Sequence, residues 1–137
     1  MPSVYLLDTS VFSQPIKDRP MQRVMDRWSA LRDNTLCTSA ICVAEVLQGL
    51  EDRGSDKYWR RYREILAGRY PVLAFDGNVA KVFGKLATAL KHRGQPKPSM
   101  DLLIAATAKR HGCIVATLNA RDFVGMPGVA VEDWSEA

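Results

Sequence analysis

Short apolar runs, most closed by a residue that can cap a helix and separated by stretches long enough for helices, constrain this chain more than any other feature. Val4-Tyr5-Leu6-Leu7 stops at Asp8-Thr9-Ser10, Thr35 to Thr38 stops at Ser39, and Pro71 to Phe75 stops at Asp76. Ile114 to Thr117 and Val129 to Val131 complete the set. Runs this brief, ended by cap-forming residues, read as buried strands. Between them the apolar period changes. Met21, Val24, Met25, Trp28 and Leu31 form a helical stripe. Ser39 opens a helix to about Leu50, and Lys57 to Ala67 is a basic helix with Arg60, Arg61 and Arg63. Asp76 opens a helix to about His92, and Ser99 caps one that runs to His111 and stops at Gly112. Strands that alternate with helices imply parallel pairing through helical crossovers, with helices on both faces of the sheet. The expectation is an α/β fold.

The chain of 137 residues is of single-domain size, so one domain over residues 1–137 is expected. Nothing divides it: Gly94 to Pro98 is linker-like but short. Asn34 to Ala44 is the longest stretch without Asp, Glu, Lys or Arg, well short of the roughly 20 apolar residues of a membrane span. Met1-Pro2-Ser3 carries no basic leader. Cys37, Cys42 and Cys113 make an odd number with no CxxC pair, which fits small buried residues in a reducing cytoplasm. A net charge of +4 and a pI near 9.1 are compatible with a polyanionic partner without establishing one.

The acids are more informative. In open parallel sheets, ligands bind beyond the carboxyl ends of the strands. Asp8 lies immediately after the first strand; Thr117 and Asn119 close the fourth, with Asp122 just beyond. Asp8 reads equally well as a helix cap. Glu45 follows a long uncharged stretch and shares a helical face with Ile41 and Gln48, where a charge is costly unless paired, metal-bound or at a cleft. Asp101 suits the helix dipole, yet it heads the apolar stripe Ile104, Ala105, Ala108. Converging carboxylates repel, and a divalent cation relieves the repulsion. Oxygen ligands without imidazole or thiolate suit Mg²⁺ or Mn²⁺ rather than zinc. An acidic pocket in a basic protein points to phosphoryl-transfer chemistry on a polyanion.

Leu7-Asp8-Thr9-Ser10-Val11, Thr38 to Val46, Asp101 to Ala108 and Thr117 to Phe123, in that order, resemble the PIN domain, and more narrowly its VapC-type toxins. Each segment is weak alone; four in sequence are specific, and they cover essentially the whole chain. The resemblance implies a three-layer α/β/α sandwich with a central, mostly parallel sheet. It implies an endoribonuclease that is the toxin of a toxin–antitoxin pair, with an acidic Mg²⁺ site that Mn²⁺ can also fill. A metal-activated water would cleave RNA and leave 5′-phosphate and 3′-hydroxyl ends. By motif match Asp8, Glu45 and Asp101 take the metal-binding positions, with Ser10 and Thr117 as supporting polar groups. The fourth position stays open between Asn119, which offers a neutral oxygen, and Asp122, which offers charge. The implied partners are RNA, a cognate VapB-type antitoxin, operator DNA only through that antitoxin, and a second copy of the chain; no membrane is involved and the location is cytoplasmic.

Other signals carry less. His92 and His111 read as surface and helix-end residues rather than an acid–base pair. Gly77 and Gly84-Lys85 have the wrong spacing for a phosphate-binding loop, and no GxGxxG follows the first strand. Arg60-Arg61-Tyr62-Arg63 and Lys91-His92-Arg93 read as solvated faces, and the tryptophans as core or interface residues. The rival reading is a catalytically silent PIN-like module that binds RNA or protein, against which three intact acids count. A small-phosphate hydrolase or phosphoacceptor would want paired acids at Asp8, where residue 10 is Ser.

Overall fold

A computed structural model describes residues 3–136. Met1 and Pro2, read above for the lack of a basic leader, and Ala137 lie outside the described residues. Five strands, β1 (Tyr5–Leu7), β2 (Leu36–Ser39), β3 (Val72–Leu73), β4 (Ile114–Thr117) and β5 (Ala130–Asp133), form a sheet in the order β3-β2-β1-β4-β5. Every pairing is parallel. The central pair carries the consequence for function: Leu7 lies opposite Ala116, so the chain leaves β1 and β4 side by side at one edge.

Two-residue alternation divides the core between the faces of the sheet. Tyr5, Leu7 and Ala116 pack with Val11, Phe12, Val24, Trp28, Val46 and Leu50 on one face. Leu6 and Val115 pack with Leu86, Leu90, Ile104, Ala105 and Ala108 on the other. The second layer is built by α5 (Gly77–His92) against α6 (Ser99–His111), the first largely by α1 (Thr9–Phe12), α2 (Gln22–Ala30) and α3 (Ala40–Arg53). The three-layer expectation holds, and the sheet is wholly parallel. No helix among the described residues is long and apolar enough to cross a membrane.

Local chemistry sets the helix ends. Ser39 accepts from the Cys42 N–H and Asp76 from the Val79 N–H, as expected of caps. Gly112 adopts the left-handed conformation (φ 67°) that lets α6 reverse directly into β4. Three expectations are corrected. The cap of α6 is Pro98, so Ser99 is its first helical residue. The basic helix is not uniform: α4 spans Asp56–Arg61 and continues without a gap into a wider π-type segment over Tyr62–Leu66. The third strand shrinks from Pro71–Phe75 to Val72–Leu73 at the sheet edge, with Val72 half-exposed.

Candidate active site

Asp8 sits where β1 turns into α1 and is 7% exposed. Its carboxylate is held from two directions. Oδ1 accepts from the Ser10 N–H (2.9 Å), which makes Asp8 the N-cap of α1; Oδ2 accepts from the Thr117 hydroxyl at the end of β4 (2.5 Å). The cap reading of Asp8 holds through Oδ1, while Oδ2 ties the acid to the end of β4. Thr117 Oγ1 accepts in turn from the Asn119 N–H (3.0 Å), and Ser10 Oγ accepts from the Leu118 N–H (3.1 Å). Ser10 and Thr117 thus stitch the two strand ends together beneath the acid, and neither bears a charge.

Glu45 projects from the second turn of α3 and accepts a hydrogen bond from Thr9 Oγ1 at 2.6 Å. Thr9 belonged to the motif but was not read as a site residue. Its signal was its place between Asp8 and Ser10 on a chain that must turn sharply: the short helix α1 begins there. Gln14, also unforeseen, is buried, donates to the Ser10 carbonyl (3.1 Å) and accepts from the Met21 N–H (2.9 Å). It fixes the loop that carries α1.

Asp101 lies in the first turn of α6. Because α6 runs directly into β4, that first turn falls at the same sheet edge as the ends of β1 and β4. Electrostatics register the convergence. Burial pushes the Asp101 carboxyl above its usual range, and the negative charges of Asp122, Asp8 and Glu45 push it further, with Lys97 opposing. Burial also raises the Asp8 carboxyl against the hydrogen bonds of Thr117 and Ser10, and Glu45 adds to the rise. The structure therefore brings Asp8, Glu45, Asp101 and Asp122 within electrostatic reach of one another. Asn119 is exposed and joins through its backbone N–H, so Asp122, not Asn119, adds charge to the group.

Among the described residues, no three His, Cys, Asp or Glu side chains form a ready-made coordination cluster. The donor set nevertheless fits a hard divalent cation. Every candidate ligand is a carboxylate oxygen, burial and then neighbouring negative charge raise the Asp8 and Asp101 carboxyls, and Asp8 is already oriented by two hydrogen bonds. His92 and His111 are exposed at the C-terminal ends of α5 and α6, and neither is among the groups that shift the Asp8 or Asp101 carboxyl. The cysteines are buried and free, with Cys37 and Cys113 Sγ atoms 3.9 Å apart.

Residues 5–128 match the family model described as "PIN domain". The chain is 30% identical over 131 residues to the tRNA(fMet)-specific endonuclease VapC of Shigella flexneri, covering 96% of this chain and 98% of that protein. Among solved structures it is similar to FitAcB from Neisseria gonorrhoeae, with TM-score 0.89 and 30% identity over 98% of this chain and all of the other. It is similar also to DNA-bound VapBC from Salmonella typhimurium, with TM-score 0.83 and 29% identity over 97% of this chain and 99% of the other.

Proposed function

Since the chain belongs to the PIN-domain family and is a VapC-type ribonuclease toxin of a toxin–antitoxin system, we propose that Asp8, Glu45 and Asp101 hold the Mg²⁺ ion with which it hydrolyses RNA. The observation that carries this reading is the electrostatic coupling of Asp101 to Asp122, Asp8 and Glu45 at the edge where β1 and β4 end. When bound, Mg²⁺ acidifies a water and neutralises charge on the scissile phosphate.

The protein groups do the positioning. Thr117 and Ser10 orient the Asp8 carboxylate, leaving its remaining lone pairs for the cation. Thr9 holds Glu45 in one rotamer, and α6 presents Asp101 from the opposite layer. Asp122 supplies outer charge, and Asn119 joins through its backbone N–H to Thr117. Hydrolysis that does not use the 2′-hydroxyl as nucleophile leaves a 5′-phosphate and a 3′-hydroxyl.

The Salmonella relative is a VapBC complex bound to DNA, which supports a VapB-type antitoxin as the partner and contact with operator DNA through that antitoxin. The Shigella relative's name makes tRNA(fMet) the first substrate to try. A homodimer in the cytoplasm completes the reading. It is tested by incubating the purified chain with labelled total RNA and tRNA(fMet) in Mg²⁺, Mn²⁺ or EDTA, beside Asp8→Ala and Asp101→Ala. Metal-dependent cuts with 5′-phosphate ends, lost in both variants, are expected; cleavage that survives EDTA would overturn it.

A further inference from the structure

A cavity of about 330 Å³ opens beside the acidic group, within the range of about 300–1,000 Å³ typical of small-ligand sites. Thr9 and Glu45 form part of its wall, so it is continuous with the acids. Leu50 gives it an apolar side, and Gly49 leaves one stretch of α3 without a side chain. Its charges are unevenly matched. Asp18, on the rim, is engaged by Lys57 (3.1 Å) and Arg61 (2.9 Å). Lys17 and Arg53, also lining it, have no carboxylate within salt-bridge distance among the described residues. The Arg53 guanidinium lies 4.0 Å from the centre of the Tyr58 ring and donates to its hydroxyl (2.8 Å). The Arg53 cation is thereby anchored to an aromatic ring at the side of the cavity.

We propose that this cavity is a nucleoside subsite, taking the base of the RNA residue next to the scissile phosphate. The inference rests on the ribonuclease reading of the acidic site. An RNA whose phosphate lies at Asp8 and Asp101 must carry its neighbouring nucleoside onto an adjoining surface, and the cavity shares Glu45 and Thr9 with those acids. Flipped-out bases stack on guanidinium planes and against apolar side chains, which Arg53 and Leu50 provide. Lys17 and Arg53 are the cations left over to neutralise the flanking phosphate, and the Ser13 hydroxyl, which also lines the cavity, offers a hydrogen bond that can read the edge of the stacked base.

The test keeps the two readings apart. Cleavage by the wild type but not by Asp8→Asn judges the acidic site alone. Binding selection from random RNA decamers is then run with Asp8→Asn and with Asp8→Asn/Gly49→Leu, so that no RNA is cut. A Cβ at Gly49 meets no atom within 4 Å and its φ is not positive, so the leucine enters open space rather than strain. The Asp8→Asn protein is expected to enrich one base at one position, and the leucine to abolish that preference and weaken the best decamer by about tenfold. Arg53→Gln, as a second variant, is expected to weaken all sequences and to lower the slope of log affinity against log salt by about one. The same base enriched with and without the leucine, or no base enriched by either protein, would overturn the subsite. So would a leucine variant that selects RNA normally but escapes inhibition by the antitoxin, which would assign the cavity to protein.

Discussion

The Thr117 hydroxyl at the end of β4 donates to Asp8 Oδ2 at the end of β1, joining residues 109 apart in sequence across the central strand pair. This bond opposes the effect of burial, which raises the Asp8 carboxyl. Thr117→Val should therefore raise it further. The group then needs a higher pH to ionise, and the acidic limb of the kcat/KM–pH profile moves upward, whereas Thr117→Ser leaves it in place. Initial rates of RNA cleavage from pH 5 to 8 at fixed Mg²⁺ check the direction; an unmoved limb would detach Thr117 from the chemistry.

Asp8 should cost folding stability at neutral pH. Its carboxyl is raised in the folded chain above its ordinary value, so the folded state holds the proton more tightly. That contribution is complete below the unfolded-state pKa and is lost as pH rises through the folded one. Asp8→Asn removes the charge and keeps a good cap, since Asn serves as well as Asp at that position. The variant should be inactive yet more stable by about 1 kcal/mol. Thermal melts at pH 7 should show a higher Tm than wild type, and added Mg²⁺ should raise the wild-type Tm only.

Thr9 acts on Glu45 as an orienting group. Its 2.6 Å hydrogen bond fixes one carboxylate oxygen of a half-exposed side chain that would otherwise sample several rotamers. Losing an outer hydrogen bond of this kind weakens metal sites by about 10–100-fold. Thr9→Val should therefore raise the Mg²⁺ concentration for half-maximal cleavage by about tenfold while far-UV circular dichroism stays unchanged, and Thr9→Ser should restore it. Equal Mg²⁺ requirements in all three proteins would remove Thr9 from the site.

The sequence made the candidate site's acids legible for a physical reason: Asp8 and Glu45 interrupt apolar surroundings, and Asp101 heads a buried stripe. The parallel order followed from strands alternating with helices. What it hid were features set by tertiary contact. Thr9 looks like one more cap residue until α3 brings Glu45 to it. The change of winding after Arg61 carries no proline or glycine; there the helix widens at Tyr62–Leu66, burying Leu66 against the first-face core. The roles of Arg53 and Lys17 depend on Asp18 being engaged by Lys57 and Arg61, a pairing across about forty residues that periodicity cannot express.

Asn119 and Asp122 were equal candidates for the fourth position, and their surroundings differ. Asn119 is exposed and contributes its backbone N–H to Thr117, a bond that any residue except proline keeps. Asp122 is half-buried on the short 3₁₀ turn after β4, and its charge is the largest of those raising Asp101. Removing that charge lets Asp101 ionise more readily but strips the cation site of one source of negative potential. A bound cation itself favours the ionised form of Asp101 in either protein, so for metal binding the lost potential decides. Asp122→Asn should therefore weaken Mn²⁺ binding and slow cleavage by about tenfold or more, as loss of an outer-shell carboxylate does. Asn119→Ala should change both by less than about threefold, in line with surface substitutions worth under about 0.5 kcal/mol. Calorimetric titration of Mn²⁺ into each variant, paired with cleavage rates, separates the two. A large loss in Asn119→Ala with none in Asp122→Asn would reverse the assignment and make the neutral amide oxygen the fourth group.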